Sequence, residues 1–543
     1  MFCRTCSRAA RSADKSRLSA TPLGLGRRHA STESRPLKLA IVGAGPSGFY
    51  AASRILSYIP ADSPNGENVQ VDMYERLPTP YGLARYGVAP DHPEVKNCQH
   101  KFDELSLDPR FTFYGNVSIG SQPSSSPDSS TPATALSSYT YPHALHLPFS
   151  SLLSHYSTVL LTYGASLSNP LSSVSGSSSS AHPLNGVYPA LALVGWYNGH
   201  PAFSHLSPDL STVKSVTVIG HGNVALDVSR ILLKDVAALA ETDIPDDVLD
   251  VLAKSSVERV TAVGRRGPGQ VAFTTKEFRE MLNLPGVRFE GLKGDLVEAA
   301  RGMVEGDRMK KRLLGLMEKS SEAGRESPKQ FNLDFLKSPS AFVGDAQGRV
   351  SQVEWTENEL LSASPDAPAV PASQTGSQPK ASVIARPTDR KTTSQTDMVV
   401  ESVGYRSEPL GVGESWVVPF DTGRGRVQNV GGRIVDDAGS AVPGLYAAGW
   451  AARGPVGVIA STMHDAYALS DMVLSDHFSP SSPPKQFDLA PPEALQKGLR
   501  EGKVVTLDRW LKIDQAERQR AKDRGSKKER EKFTKVEDML AVI

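Results

Sequence analysis

The alternation of apolar and polar positions repeats one unit twice along the chain. Lys38–Val42 is a short apolar run that ends on a glycine turn and leads into an apolar-faced stretch reaching about Tyr58. Gln70–Glu75 is the next apolar run. The pattern predicts strand, glycine turn, helix, strand. Val213–Gly220 starts the same series again, with a glycine turn, a helix through about Leu233 and Arg259–Val263 as the following strand. Short strands alternating with helical stretches predict an α/β protein. Two separate units predict two nucleotide-binding domains.

Other stretches carry no such period. Ser121–Thr140 is dominated by Ser, Pro and Thr, and Leu167–His182 contains the run Ser177–Ser180. Both are expected to be mobile surface loops, since neither offers apolar side chains to bury. Ser362–Ser394 mixes Pro, Ser, Thr and Ala and is expected to be weakly structured. Glu517–Lys535 is densely charged and is expected to be an exposed helix or tail.

The two glycine turns carry the candidate chemistry. The first reads Ile41-Val42-Gly43-Ala44-Gly45-Pro46-Ser47-Gly48. Gly43 permits the tight turn, Gly45 lets the backbone approach a pyrophosphate, and Gly48 lets the helix pack closely on the strand. The helix N-terminus then offers free N–H groups to that pyrophosphate. Glu75, at the end of the next strand, is placed to accept hydrogen bonds from ribose hydroxyls. The second turn reads Val218-Ile219-Gly220-His221-Gly222-Asn223-Val224-Ala225, with Ala225 as a small third residue. After its next strand comes Val263-Gly264-Arg265-Arg266-Gly267, two cations where an NAD site places a carboxylate. Two guanidiniums hold a 2′-phosphate that a carboxylate would repel, so the second site is expected to prefer NADPH. An acid in the first unit and an arginine pair in the second suggest FAD and NADPH. A flavin accepts an electron pair from nicotinamide and releases electrons singly.

Composition narrows the class. The 60 Lys and Arg residues against 59 Asp and Glu leave +1, which argues against a dedicated nucleic-acid binder. Three cysteines, Cys3, Cys6 and Cys98, provide neither a disulfide framework nor a four-cysteine metal or cluster set. Only Cys98 lies beyond the N-terminal segment, so a dithiol mechanism has no C-x-x-C in a folded domain. The longest apolar runs, such as Val187–Tyr197, are too short for the ~20 residues of a membrane span. Any contact with the inner membrane of a mitochondrion is therefore expected to be peripheral. The first 36 residues hold seven arginines with many Ser and Ala residues and only Asp14 and Glu33 as acids. With no apolar core segment, they are expected to be a mitochondrial presequence.

Several longer motifs then converge. Tyr81-Gly82-Leu83-Ala84-Arg85-Tyr86-Gly87-Val88-Ala89-Pro90-Asp91-His92-Pro93 resembles the segment after the FAD motif in the adrenodoxin reductases, the mitochondrial NADPH–ferredoxin reductases. Gly195-Trp196-Tyr197-Asn198-Gly199, Gly264-Arg265-Arg266-Gly267-Pro268 and Gln270-Val271-Ala272-Phe273-Thr274 resemble the same family. So does Gly449-Trp450 leading to Arg453-Gly454-Pro455-Val456-Gly457-Val458-Ile459. The resemblance runs from about Leu37 to Val473 and returns near Val504–Leu540.

The resemblance implies two Rossmann-like dinucleotide-binding domains, with the FAD domain split around an inserted NADPH domain. The expected division is 1–36 presequence, 37–165 and 405–543 FAD domain, and 166–404 NADPH domain. It implies FAD contacts at Gly43, Gly45, Ser47, Gly48, Glu75, Leu83, Ile119, Trp450, Gly457, Val458 and Ile459. NADPH contacts are implied at Gly220, His221, Gly222, Asn223, Arg265, Arg266, Glu277 and Gly457. His92 and Asp227 are implied to pair near the flavin, assisting proton movement or orienting the redox partner. Arg308 and Arg312, one turn apart in a cationic cluster, match the family's docking arginines for an acidic [2Fe–2S] ferredoxin. The expected activity is NADPH:ferredoxin oxidoreduction feeding mitochondrial P450s or iron–sulfur and haem biosynthesis. A subunit like the small subunit of glutamate synthase is a rival, but the chain has no cysteine-rich N-terminal cluster domain. A non-enzymatic FAD scaffold is the other, and it would have no use for a 2′-phosphate clamp.

Overall fold

The computed structural model describes residues 35–120, 142–321, 327–362, 383–479 and 485–543. The expected presequence, apart from Arg35 and Pro36, and all of Ser121–Thr140 lie outside these residues.

The chain first lays down β1 (Leu37–Val42), α1 (Pro46–Tyr58), β2 (Val69–Tyr74), β3 (Phe111–Tyr114) and β4 (Thr158–Leu161). β1 pairs in parallel with β2 on one side and β4 on the other, with Ile41 opposite both Met73 and Leu160. All six residues of β1 are buried, as a strand covered on both faces requires. A second parallel sheet begins with β5 (Val187–Pro189), β6 (Ser215–Ile219), α2 (Asn223–Leu233), β7 (Arg259–Val263) and α3 (Thr275–Leu282). It continues through β8 (Val287–Arg288), α4 (Arg308–Met317) and β9 (Lys329–Asp334).

Three longer strands, β10 (Lys337–Gly344), β11 (Val350–Ser362) and β12 (Val383–Gln395), form an antiparallel sheet of their own. β13 (Met398–Glu401) returns to the second sheet, whose order is β8-β9-β7-β6-β13-β5. The chain then adds β14 (Asn429–Val430), β15 (Arg433–Val435) and β16 (Ala441–Ala447) to the first sheet. β16 pairs in parallel with β4, giving the order β14-β15-β16-β4-β1-β2-β3. The first sheet is thus left after β4 and rejoined beside β4. α5 (Ile459–His477) packs against α1, and α6 (Leu507–Asp523) packs against β3.

Three expectations about polar segments need correction. Ser177 and Ser178 are buried rather than mobile, because the Ser178 N–H and hydroxyl both bond the buried Glu401 carboxylate at the end of β13. Residues 383–394 are strand β12, paired along its length with β11; only 363–382 lie outside the described residues. The charged stretch from Glu517 is helical as far as Asp523, as expected, but only part of it is exposed. Glu517, Lys528, Arg530, Glu531 and Lys532 are all buried, each with a partner of opposite charge. Lys532 bonds Asp243, and its ammonium also reaches the Arg85 and Asn198 carbonyls. Burial is tolerated because each charge is paired and hydrogen-bonded. These residues belong to the C-terminal part of the chain, yet Asp243, Asp246 and Asn198 belong to the region around the second sheet. The C-terminal segment therefore ties the two sheets together.

Candidate functional site

The two glycine turns have the same geometry. Gly43 has φ +106°, and a Cβ there would lie 2.6 Å from the Tyr163 backbone. Gly220 has φ +126°, and a Cβ there would lie 2.2 Å from the Ser402 carbonyl. Only glycine meets both demands. Gly45 and Gly222 face open space, and each precedes its helix without any side-chain cap on the free N–H groups. Each turn thus leaves a helix N-terminus bare for an anion. Gly48 lies where a Cβ would strike the Gly43 carbonyl at 2.4 Å, so it sets how closely α1 approaches β1.

The first turn opens into a cleft with about 750 Å³ of empty space. Gly43, Gly45, Ser47, Glu75, Leu83, Trp450 and Ile459 line it, all expected from the sequence. Glu75 Oε2 accepts the Ala44 N–H at 2.9 Å and Oε1 accepts the Leu77 N–H at 3.2 Å. Burial raises the Glu75 pKa, and these two N–H groups oppose the rise. The Ser47 hydroxyl is buried without a hydrogen-bond partner, in a position where such an atom normally has one. A phosphate oxygen at the α1 N-terminus would supply it, so the cleft fits a dinucleotide.

Of the other residues expected here, Ile119 sits in the core, and Gly457 and Val458 lie immediately before α5, outside the cleft lining. The sequence reading missed Arg76, Tyr163 and His200 in the lining. His200 directly follows the Gly195–Gly199 motif, the one signal that pointed to it. It packs edge-on to Tyr86, its Nδ1 accepts the Ala202 N–H, and burial brings its pKa down to about 3, so it is neutral.

Around the second turn, His221 packs inward. Its Nε2–H donates to the Ala262 carbonyl at 3.0 Å, and burial brings its pKa down to about 4. Its role is to hold the turn, because its own carbonyl accepts the Ala272 and Phe273 N–H groups. Asn223 Oδ1 accepts the Thr274 N–H at 2.8 Å, and Thr274 caps α3, which carries Glu277. Arg265 and Arg266 are exposed and have no carboxylate partner among the described residues. Partial burial of its guanidinium and the neighbouring Arg265 lower the Arg266 pKa.

His92 and Asp227 do not pair with each other. His92 Nε2 meets Glu280 at 2.6 Å, one turn along α3 from Glu277. Asp227 bonds Arg230 Nη2 at 2.8 Å, and its pKa is raised by burial against the opposing charges of Arg230 and His92. The buried Arg230 explains the arrangement: it also holds Asp91 at 2.9 Å and approaches Glu277 and Glu280 at 3.5 and 3.6 Å. Against its own burial, Arg230 and Lys234 keep the Asp91 carboxyl well below the usual carboxylate range. The segment Asp91-His92 is thus clamped onto α2 and α3. Glu280 was not expected from the sequence, although it lies in the same helix as Glu277. Arg308 and Arg312 are exposed on α4, whose opposite side buries Leu313, Leu314 and Met317. Cys98 is half-buried and burial pushes its thiol up to about 11, which makes it a poor nucleophile.

Two largely parallel sheets, each opening a bare helix N-terminus through a glycine turn, define an oxidoreductase of the two-dinucleotide class. No protein-family model matches the chain. It is 38% identical over 514 residues to NADPH:adrenodoxin oxidoreductase, mitochondrial, of Drosophila melanogaster, covering 93% of each chain. It is 35% identical over 535 residues to the Homo sapiens protein of the same name, covering 95% of this chain and 94% of that one. The structure of Mycobacterium tuberculosis FprA in complex with NADPH matches with a TM-score of 0.74 at 33% identity, over 94% of this chain and 99% of that one. The chain belongs to the NADPH:adrenodoxin oxidoreductase family. Members of that family are FAD-dependent oxidoreductases, and the chain is such an enzyme. Among the described residues no helix is long and apolar enough to cross a membrane.

Proposed function

We propose that the chain is a mitochondrial NADPH:ferredoxin oxidoreductase with FAD in the cleft beside Glu75 and NADPH on the turn beside Arg265 and Arg266. The observation that carries this reading is the contrast between two turns of one geometry. One is closed by a half-buried carboxylate, and the other by two guanidiniums with no counter-charge among the described residues. FAD, when bound, takes up the coenzyme's hydride as an electron pair and gives electrons singly to a [2Fe–2S] protein. The chain's own residues do the positioning. The bare N-termini of α1 and α2 bind the two pyrophosphates, and Ser47 donates to the first. Trp450 and Ile459 wall the cleft. Hydride transfer needs orientation more than acid–base help, so His92 and Asp227 act mainly by fixing Asp91-His92 against α2 and α3.

In this reading 37–165 and 405–543 form the FAD domain and 166–404 the NADPH domain, which agrees with the order in which the two sheets are built. The exposed Arg308 and Arg312 steer an acidic ferredoxin to α4. The relatives' mitochondrial names and the arginine-rich first 36 residues support a mitochondrial location, with the enzyme on the matrix side and any inner-membrane contact peripheral.

The test is NADPH-driven cytochrome c reduction with and without an added [2Fe–2S] ferredoxin. A rate that needs ferredoxin and falls steeply with salt is expected. If NADPH bleaches the flavin while ferredoxin adds nothing, the acceptor assignment is wrong.

A further inference from the structure

We propose that Asn358 is a positioning residue that sets the enzyme's preference for NADPH by fixing the loop that carries Arg265 and Arg266. This rests on the reading of that arginine pair as the 2′-phosphate clamp. The two guanidiniums are neighbours of like charge with no carboxylate among the described residues to hold them, so they repel each other. Their backbone must therefore be fixed from behind. Three successive carbonyls of the loop are taken by the antiparallel sheet and its approach. The Lys337 N–H donates to Gly264 O at 3.1 Å, Asn358 Nδ2 donates to Arg265 O at 3.1 Å, and the Leu336 N–H donates to Arg266 O at 3.4 Å. With the carbonyls turned to the sheet, the two side chains are left to face solvent.

Asn358 is the only one of these three donors that is a side chain. It is 4% exposed, and the carbonyl of Arg265 can only accept, which fixes the amide with its nitrogen toward the loop. The same nitrogen donates to Ser338 Oγ at 3.0 Å, and the Asn358 N–H donates to Leu336 O at 2.7 Å. The β11–β12 register shifts between Thr356 and Asn358. Such an irregularity bends a strand locally and re-aims a side chain. Leu336, the partner on the approach to β10, has φ +58°, a conformation a leucine keeps only where its surroundings hold it. Leu360, two residues further along β11, would lie 3.2 Å from a Cβ at Gly267, so β11 packs against the far end of the loop too. The antiparallel sheet is thus a rigid backing for the clamp.

The test compares Asn358→Ala with the wild-type holoenzyme, using NADPH- and NADH-driven ferricyanide reduction and direct binding of 2′,5′-ADP and 5′-ADP. The KM for NADPH is expected to rise about five- to tenfold, as for loss of one buried hydrogen bond. The kcat and the NADH KM are expected to stay put. Binding of 2′,5′-ADP should weaken in parallel, and 5′-ADP should not change. In an Arg265→Ala background the second change should add less, because only Arg266 is then left on the loop that Asn358 holds. Equal losses for both coenzymes, or an undiminished effect without Arg265, would overturn the proposal. An Arg265→Ala enzyme that does not separate the two coenzymes would instead overturn the clamp reading, and this proposal with it. If Asn358→Ala fails to retain flavin, Asn358→Ser, which keeps a short donor, is read by the same comparison.

Discussion

Replacing Glu517 with alanine would leave the Arg85 guanidinium inside the protein without its counter-charge. Glu517 is completely buried and accepts Arg85 Nη2 at 2.6 and 2.8 Å, and also the Phe533 N–H at 2.9 Å. Breaking one half of a buried pair costs about 3–5 kcal/mol. The orphaned Phe533 N–H adds roughly 1–3 kcal/mol. Arg85 also lies over the Trp510 and Tyr86 rings at 5.6 and 5.1 Å, but these contacts do not neutralise it. A loss of about 4–8 kcal/mol is a large share of the ~5–15 kcal/mol that holds a typical protein folded. Arg85 belongs to the short helix Leu83–Tyr86, and Leu83 and Tyr86 line the cleft, so flavin retention should weaken with it. Urea unfolding and release of free flavin fluorescence measure the two effects. Glu517→Gln should be nearly as damaging, since it keeps the shape and loses the charge. The double change Arg85→Met with Glu517→Leu should recover most of the stability, because no unpaired charge is left buried. If Glu517→Ala costs under about 1 kcal/mol, or the double variant is no better than the single one, the C-terminal charges are not what holds this helix in place.

Changing both Arg265 and Arg266 to Ala should raise the NADPH KM about 10- to 100-fold, as for loss of charge-assisted bonds, and leave the NADH KM nearly unchanged; steady-state kinetics with each coenzyme checks it, and parallel losses would refute it. Arg308→Glu with Arg312→Glu should suppress ferredoxin-dependent cytochrome c reduction and flatten its salt dependence, while stopped-flow flavin reduction by NADPH stays intact. His200, held down to about 3 by burial, takes up a proton only on unfolding as pH drops below 6.5. The unfolded chain then binds more protons than the folded one, so stability falls with pH between 6.5 and about 3, by roughly 2 kcal/mol at pH 5. His200→Asn keeps an acceptor for the Ala202 N–H without titrating, and denaturation across that pH range should show a shallower slope; an unchanged slope would assign the acid sensitivity elsewhere.

The parts of this molecule that could be read from the sequence are those whose causes are local. Gly43 and Gly220 are legible because a positive φ and a close backbone approach each exclude a side chain, whatever lies elsewhere in the chain. Arg265 and Arg266 stand out because they come just after the strand that follows a glycine unit. Glu517 and Lys532 were not legible, since a charge-dense stretch is ordinarily solvated and their partners Arg85 and Asp243 are hundreds of positions away. Ser177 and Ser178 misled for the same reason: Glu401, which orders Ser178, belongs to another strand. The pairing of His92 with Glu280 rather than Asp227 depends on Arg230, which engages Asp227 and Asp91 together.

These unread contacts have a common role. Asp91–Arg230, His92–Glu280, Lys96–Asp243 and Lys532–Asp243 all join segments around the first sheet to segments around the second. The glycine turns make two dinucleotide sites, but only polar contacts between distant segments decide how those sites face each other. Hydride transfer depends on that facing more than on any acid or base. A chain that kept both glycine turns and the arginine pair but lost Arg230, Asp243 and Glu517 would read the same at the level of motifs. It should still bind each coenzyme separately, as equilibrium titration would show, while flavin reduction by NADPH would slow because the two cradles were no longer held in register.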